Sequence, residues 1–248
     1  MKTEAIKKGD KYIINGSKTF ITNAPVADLF FVYAKTEETY SAFVILKNDD
    51  GFKRGKSFKK MGMRGSPTGE IFFDNVAIPE ERIIGEYGKA KDIIMSGLNI
   101  ERVILSHIFT GLSRRALDIA IDYSIMRKQF GKSISDFELI QDKIAVMYSR
   151  YEASKLLCKQ ALSKIENDRM DVFDAATALL FATESAEYIS REAIQIMGGY
   201  GYIKDGEVEM LLRDSILGQI GGGTKEIRKK LIASSIVKNF KEGRKISE

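Results

Sequence analysis

Three short segments contain residue types that could bind an anionic ligand. They are RKQFGK (127–132), QIMGGYGYIKD (195–205) and IGGGT (220–224). Arginine presents a planar donor fork that matches a phosphate, and consecutive glycines let backbone amides approach a ligand closely. Each segment also has an ordinary structural explanation: a helix end with solvated cations, a helix C-cap before a loop, or a linker whose Thr224 caps the next helix. From the residues alone, both interpretations stay open.

The composition describes a globular protein without a metal site or a disulfide framework. The 248 residues are 44% hydrophobic, and 39 basic against 34 acidic residues give a net charge of +5. This charge is too small to indicate nucleic-acid binding. The chain has one cysteine, Cys158, and one histidine, His107, which we interpret as structural residues. Together they exclude a disulfide framework and a Cys/His metal site within one chain.

We expect a cytoplasmic protein with no membrane span. The first residues, MKTEAIKKGD, lack the apolar segment typical of a signal peptide. The longest apolar runs, such as residues 29–34, are too short to cross a bilayer. The low cysteine content also fits a reducing compartment.

Residues 1–86 are predicted to form a β-domain. Short β-type runs occur at residues 12–14, 19–22, 29–33, 41–46 and 70–73. Asn15-Gly16 and Asp50-Gly51 are dipeptides typical of hairpins and turns. We therefore expect an antiparallel β-domain that ends in a linker at residues 78–86.

Residues 87–248 have the apolar period of helices. Apolar stripes run through residues 100–112, 140–151, 175–196 and 227–236. Breaks at residues 130–132, 167–168 and 198–201 separate three long helices and a shorter last one. This pattern predicts an antiparallel four-helix bundle, so the whole chain is predicted to be an α+β protein.

Together and in this order, the segments resemble the middle and C-terminal domains of the acyl-CoA dehydrogenases. The resemblance covers essentially the whole chain. Besides the three segments above, it includes NGSKTFITNA (15–24), KMGMRGSPTGEIFFDNVAIP (60–79), MSGLNIER (95–102) and RDSILGQIGGGT (213–224). It implies FAD as the cofactor and an acyl-CoA thioester as the substrate.

The resemblance places the catalytic base at Glu101. In most of the family a glutamate precedes the Gly-Thr pair that is Gly223-Thr224 here, and Gly222 stands at that position. A smaller branch, which includes the isovaleryl-CoA and long-chain enzymes, has its glutamate in the earlier segment, at the position of Glu101. The implied reaction is α,β-dehydrogenation: Glu101 removes the α-proton, a hydride leaves the β-carbon for the flavin, and the Gly222 N–H stabilises the thioester oxygen. The alternative for Glu101 is a solvated helix glutamate beside Arg102.

The resemblance also implies cofactor and substrate contacts. The residues that match flavin contacts are Phe20, Thr22 and Thr224. Those that match contacts to the adenosine diphosphate part of FAD, typically in the neighbouring subunit, are Arg127, Gln129 and Phe130, and a second cross-subunit contact is matched by Gln195, Gly198 and Gly199. Those that match the substrate pocket are Leu98, Arg102 and Gly221. Gly221 and Gly222 leave the pocket wall without side chains, so we expect a short branched acyl group first and a longer chain second.

Partners follow from the same resemblance. It implies electron-transfer flavoprotein as the electron acceptor and a homo-oligomer, a dimer of dimers formed through the helical domain. Family members have a helical domain and a further strand ahead of the region matched here. Three explanations follow: a fragment or misplaced start, a second polypeptide that supplies the missing half, or a catalytically incompetent member that acts as a structural or binding subunit. We expect an apolar surface where the absent domain would pack.

Overall fold

The computed structural model describes residues 3–37, 39–167 and 172–245. The chain forms two compact units, Met1–Gly97 and Leu98–Glu248. The first is mostly an antiparallel sheet and the second is helical, which confirms the predicted α+β class. The first helix begins at Lys91, shortly after the predicted change of period, and its opening turns belong to the first unit.

The β-unit is a seven-stranded sheet in the order β5-β6-β2-β1-β3-β4-β7. Its strands are β1 (Glu4–Lys8), β2 (Lys11–Thr22), β3 (Leu29–Thr36), β4 (Thr39–Leu46), β5 (Phe52–Arg54), β6 (Thr68–Pro79) and β7 (Ile83–Ile84). Most pairings are antiparallel, and β1 makes a parallel contact with β3 at Glu4 and Lys35. Side chains alternate along a strand, so β3 buries Phe30, Val32 and Ala34 in the core of this unit.

Strand β2 is continuous where the sequence predicted two runs separated by a turn. Asn15-Gly16 lies inside it, at an irregularity in the ladder with β6. The extra residue is on β6, where Asn75 has φ +53° and its backbone N–H donates to Asn15 Oδ1 at 2.8 Å. The turn predicted at Asn15-Gly16 is therefore wrong, because a β-bulge takes up the residues that a hairpin would use. The predicted turn at Asp50-Gly51 lies between β4 and β5.

A second irregularity lies farther along β2, between Lys18 and Ile21. Here the extra residue is on β2, because Thr19 and Phe20 together stand opposite Glu70. Phe20 has φ +60°, which is rare for an aromatic residue. The bulge leaves the Phe20 side chain 76% exposed.

The helical unit contains three long helices and a shorter last one, as predicted. They are α1 (Lys91–Met126), α2 (Glu138–Glu166), α3 (Val172–Met197) and α6 (Lys225–Lys241), with α4 (Gly199–Tyr202) and α5 (Val208–Ile216) between the last two. Helix α3 packs against α2, α5 and α6. Its buried Ala178, Ala182 and Ala186 are small, so neighbouring helices can approach it closely.

The break between α1 and α2 is a hairpin. Helix α1 ends at Met126, and β8 (Lys128–Gln129) pairs with β9 (Lys132–Ser133). Phe130 (φ +51°) and Gly131 (φ +83°) form the two-residue turn, with positive φ at both positions as in a type I′ turn. The alternative of a glycine-terminated helix end is therefore wrong here.

The other two breaks follow helix ends. Helix α2 ends at Glu166 with Asn167 as its C-cap, and Asp168 of the predicted break lies outside the described residues. Helix α3 ends at Met197, and Gly198 has φ +58°. The glycine-rich segment after α3 is thus a sharp turn into the short helix α4.

Helix α1 is long and apolar enough to cross a membrane, judged by length and composition alone. One 18-residue window has a mean hydropathy of 1.2, and 28% of that window is buried. Core helices of soluble proteins meet the same criterion, and α1 is the one helix among the described residues that does. Isolated charged residues divide α1 into short apolar runs, and for this reason the sequence predicts no membrane span there.

Candidate active site

The segment that joins α5 to α6, Leu217–Thr224, is called the glycine turn below. It begins as a 3₁₀ turn, in which the N–H groups of Ile220 and Gly221 both donate to the Leu217 carbonyl, at 3.1 and 2.8 Å. Gly222 and Gly223 then take φ +65° and +89°. Thr224 is the N-cap of α6 and accepts a hydrogen bond from the Ile227 N–H at 3.4 Å.

Gly222 occupies a position that favours glycine. A Cβ there would lie 2.9 Å from Leu179 Cδ2 and 3.1 Å from Leu105 Cδ1, in addition to the positive φ. Its backbone N–H has no acceptor among the described residues. Gly222 can therefore offer an N–H donor, while a glutamate side chain at this position would require rearrangement of both leucines.

Helix α1 brings the earlier segment to the glycine turn through Arg102. Arg102 is 4% exposed, and its Nε donates to the Gly222 carbonyl at 3.2 Å while Nη1 donates to Asn99 Oδ1 at 3.0 Å. Burial lowers the pKa of Arg102, and the Glu101 charge acts in the opposite direction. Glu101 itself is exposed, and Leu98 is half-buried. The predicted base and the predicted oxyanion donor thus belong to segments joined by one guanidinium.

Four of the predicted cofactor residues line one cavity of about 490 Å³. They are Arg127, Gln129, Gly198 and Gly199, together with the unpredicted Tyr123, Ile134, Ile196, Met197, Tyr200 and Ile203. The Tyr123 and Tyr200 rings lie 6.1 Å apart. A guanidinium, an amide, two side-chain-free backbone positions and aromatic faces suit the phosphates and base of an adenosine diphosphate group.

Three further predicted cofactor residues of this unit do not line that cavity: Thr224, the N-cap of α6, and the two exposed residues Phe130 and Gln195. Phe130 is 93% exposed at the tip of the hairpin, with its ring 6.2 Å from that of Phe137. Gln195 is exposed on the last turns of α3. Both side chains point toward solvent in the single chain, where a second copy or a ligand could reach them.

Phe20 and Thr22 lie in the β-unit, on the bulged end of β2. The Phe20 ring lies 5.5 Å from that of Phe58 at an angle of 48°, and most of its surface is free. Thr22 is exposed and stands opposite Thr68 on β6. Backbone strain of the kind seen at Phe20 often accompanies ligand contacts. The exposed aromatic face and neighbouring hydroxyl fit one side of a planar ring such as a flavin.

Near this bulge, a lysine fills the space between β2 and β3. Strand β1 lies between β2 and β3, and its pairing with β2 begins at Glu4. Past this end of β1, Lys18 Nζ on β2 donates to the Tyr33 carbonyl on β3 at 2.6 Å. Burial lowers the pKa of Lys18 to about 8. Lys18 thus gives a hydrogen-bond donor to a carbonyl of β3 at a position that β1 does not pair with.

The helical unit has an apolar groove. A groove between α1 and α2, called the α1 groove, has a volume of about 540 Å³ and is lined by Ile100, Val103, Ile104, His107, Ile108, Leu162 and Ile165. Ile104 is 56% exposed and Leu162 is 40% exposed. His107 lies at its edge with Nδ1 2.8 Å from the Val103 carbonyl oxygen, whereas Cys158 is buried, as predicted for a small core residue.

Sequence reasoning missed two residues: Tyr123, which lines the 490 Å³ cavity, and Arg228, which is fully buried in α6 and donates to the Gly218 carbonyl of the glycine turn. Tyr123 lies one helical turn before Arg127, and this i, i+4 spacing on α1 could have placed both on one face. Arg228 gave no signal, because an arginine in α6 resembles the solvated lysines beside it. Among residues 3–37, 39–167 and 172–245, no three His, Cys, Asp or Glu side chains are grouped so that they could hold a metal ion.

Comparison with known proteins matches both units. Residues 1–76 match the acyl-CoA dehydrogenase middle domain, and residues 91–237 match the acyl-CoA dehydrogenase C-terminal domain. The mitochondrial isovaleryl-CoA dehydrogenase of Oryza sativa subsp. japonica is 40% identical over 243 residues, which are 96% of this chain and 59% of that protein. The chain thus spans less than two thirds of this relative.

Solved structures agree with the sequence matches. Butyryl-CoA dehydrogenase from Megasphaera elsdenii superposes with a TM-score of 0.93 at 36% identity, covering 95% of this chain and 63% of that one. An FAD-dependent dehydrogenase superposes with a TM-score of 0.92 at 31% identity, covering 95% of this chain and 64% of that one. The cofactor implied by these relationships is FAD. The chain belongs to the acyl-CoA dehydrogenase family, and it contains the middle and C-terminal domains of that family.

Proposed function

We propose that this chain carries the FAD contacts and the catalytic base of an acyl-CoA dehydrogenase, with Glu101 as the base. The observation that carries the proposal is the Arg102–Gly222 hydrogen bond of 3.2 Å. It joins the segment that contains Glu101 to the turn that contains the free Gly222 N–H. A proton acceptor and an oxyanion donor are the two groups that α-proton removal from a thioester requires.

Each of these residues has its own role in the proposed reaction. The exposed Glu101 carboxylate accepts the α-proton. The Gly222 N–H donates to the thioester oxygen as negative charge develops there. FAD, when bound, supplies the acceptor for the hydride. Arg127, Gln129, Gly198 and Gly199 would hold the adenosine diphosphate part of a cofactor shared with a neighbouring copy of the chain, and Phe20 and Thr22 would contact a flavin ring.

The acyl group is proposed to be short and branched, with a longer chain as the second candidate. The open pocket wall expected at Gly221 and Gly222 is not found at Gly222, because Leu179 and Leu105 lie where its side chain would be. The likeness to a protein named isovaleryl-CoA dehydrogenase supports the proposed preference. An apolar pocket discriminates by about 1–3 kcal/mol per methylene group, so neighbouring chain lengths would also react.

Electron-transfer flavoprotein is the proposed oxidant of the reduced cofactor, and a dimer of dimers is the proposed assembly. Exposed apolar side chains at one end of the helical unit support association. They are Met126 (72% exposed), Phe130 (93%), Leu139 (80%) and Tyr202 (84%). Exposed large apolar side chains of this kind favour contact with another copy when they are grouped.

A second candidate function is a binding subunit or one half of a split enzyme. The chain spans 59% of the length of the rice relative, and the α1 groove leaves an apolar face of α1 uncovered. In this reading, a second polypeptide covers the groove and completes the acyl pocket. The two candidates differ in whether the chain alone reduces its flavin.

The test compares the wild type with Glu101→Gln, and with Glu138→Gln as a matched control at another exposed helical glutamate. Glutamine keeps the shape of glutamate but cannot accept the proton. We expect Glu101→Gln to bind FAD like the wild type and to lose about 10²–10⁴-fold in the rate of flavin reduction by isovaleryl-CoA. Anaerobic stopped-flow absorbance measures the rate, and the visible flavin spectrum measures binding.

The outcomes separate the candidates. Near-normal reduction in Glu101→Gln would refute the base. Flavin binding without reduction in the wild type would favour the split or non-catalytic subunit. A colourless protein that takes up no added FAD would contradict the cofactor assignment. Glu138→Gln should retain the wild-type rate.

A further inference from the structure

Two arginines are buried in the helical unit, and neither has an ion-pair partner among the described residues. Arg228 is 0% exposed and Arg102 is 4% exposed. Burial lowers the pKa of Arg228, and the nearby charges of Glu184 and Arg102 act in opposite directions. Because burying an unpaired charge is costly, each guanidinium needs a structural or functional reason.

Arg228 donates hydrogen bonds to two different elements, the glycine turn and α3. Its Nη2 donates to the Gly218 carbonyl in the glycine turn at 2.6 Å, and its Nη1 donates to Thr183 Oγ1 on α3 at 3.3 Å. Its Nε has no partner in the described part of the chain. Arg228 therefore connects α6, the glycine turn and α3 through one planar group.

Thr183 is the point at which the glycine turn rests on α3. The Gln219 side chain donates to the Thr183 carbonyl at 3.3 Å. A Cβ on Gly218 would lie 2.6 Å from Thr183 Cγ2, so only glycine allows this approach. The beginning of the turn is thus fixed by close packing and by two side-chain donors.

The far end of the same turn is fixed by Arg102. Its Nε holds the Gly222 carbonyl at 3.2 Å, four residues after the carbonyl that Arg228 holds. The segment between these two anchored carbonyls contains the N–H of Gly222. The direction of that N–H therefore depends on both guanidiniums.

We propose that Arg228 is a positioning residue that holds the glycine turn against α3. The Gly222 N–H then has one fixed direction, toward the thioester oxygen. This inference rests on the proposed function for the last step, the donation to the thioester. The seating of the turn is a property of the chain alone. Arginine suits the task because its fork is rigid and reaches two acceptors at once, which a lysine ammonium on a flexible stem does less well.

The experiment compares the wild type with Arg228→Met, Arg228→Lys and the control Lys229→Met. Lys229→Met also removes a positive charge from α6, but the Lys229 side chain is 57% exposed, and its Nζ lies 3.6 Å from Glu184 Oε1. Hydrogen–deuterium exchange of the unliganded chain measures protection in residues 217–227 and, for reference, in α2. In the FAD-loaded protein, infrared difference spectra of a ¹³C-labelled acyl-CoA thioester measure polarisation of its carbonyl.

We expect exchange in residues 217–227 to rise by about tenfold or more in Arg228→Met, because two buried acceptors lose a charged donor. Arg228→Lys should fall between Arg228→Met and the wild type, and Lys229→Met should match the wild type. Protection of α2 should be retained in every variant. The downshift of the thioester carbonyl stretch should shrink in the same order.

Two results would overturn the proposal. One is exchange in residues 217–227 of Arg228→Met within about twofold of the wild type, well below the loss expected from a charged hydrogen bond. The other is an equal loss of protection in α2, which would make Arg228 a general core residue. A wild type whose turn is well protected, but which shows no carbonyl downshift, would instead contradict the proposed function and leave the seating role supported.

Discussion

The described part of the helical unit has two glycine-rich turns, and two glycines of one turn, Gly218 and Gly222, have different surroundings from two of the other, Gly198 and Gly199. In the glycine turn, a Cβ on Gly218 or Gly222 would meet other side chains at under 3.0 Å. In the turn after α3, a Cβ on Gly198 or Gly199 would have no neighbour within 4 Å. The first turn needs glycine because the protein itself fills the space. The second leaves open space beside a cavity, which is what a ligand that approaches the backbone requires.

The largest expected effect on stability is that of Gly218→Ala. The added methyl group would lie 2.6 Å from Thr183 Cγ2 and 3.1 Å from Phe109 Cε1. Overpacking of this kind costs about 1–3 kcal/mol, and Thr183 is held by its own hydrogen bonds to α3. Urea unfolding of the chain measures the free energy of unfolding. A loss below about 0.5 kcal/mol, the range of neutral surface changes, would show that the turn moves freely off α3.

Gly222→Ala should be the next most severe. Its φ of +65° costs an L-residue about 1–2 kcal/mol, and the methyl group meets the tips of Leu179 and Leu105, which can shift. The same unfolding experiment measures the loss. Wild-type stability in Gly222→Ala would mean that the backbone changes its conformation at this residue, and with it the direction of the proposed oxyanion donor.

The smallest expected effect on stability is that of Gly199→Ala. Its φ lies outside the positive range and its Cβ would enter open space, so the free energy of unfolding should change by about 0.5 kcal/mol or less. The methyl group would nevertheless project at the wall of the 490 Å³ cavity. We therefore expect weaker FAD binding, measured by flavin fluorescence titration. Unchanged affinity together with unchanged stability would remove Gly199 from the cofactor site.

The sequence was most informative where local pattern and tertiary structure agree. The helical stripes predicted α1, α2, α3 and α6, because a buried face at a period of 3.6 residues is a property of the segment itself. The alternation in residues 29–33 and 41–46 likewise predicted β3 and β4. Strand β1 was missed because Ala5 is its one buried side chain, so its alternation is not visible in the sequence.

Dipeptides with positive φ were less informative, because several structures use the same residues. Asn15-Gly16 looked like a hairpin turn and lies in a bulged strand, whereas Phe130-Gly131 looked like a helix end and forms a hairpin turn. In both cases the partner strand decides the outcome. At the candidate site, the resemblance supplied Glu101 and Gly222, but not the fully buried Arg228, whose partners on α3 and in the glycine turn become adjacent only after folding.

The two irregularities along β2 have a consequence for how this sequence can change length. The first adds a residue to β6 and the second adds one to β2, so the ladder returns to its original frame: Tyr12 pairs with Ile78 before both, and Thr22 pairs with Thr68 after both. Deleting Thr19 or Phe20 would remove the second irregularity, because a single residue of β2 would then stand opposite Glu70, and Ile21 and Thr22 would keep Gly69 and Thr68 as partners. The pairing beyond this bulge therefore does not depend on the extra residue. What the extra residue maintains is local: the positive φ of Phe20 and the exposure of its ring.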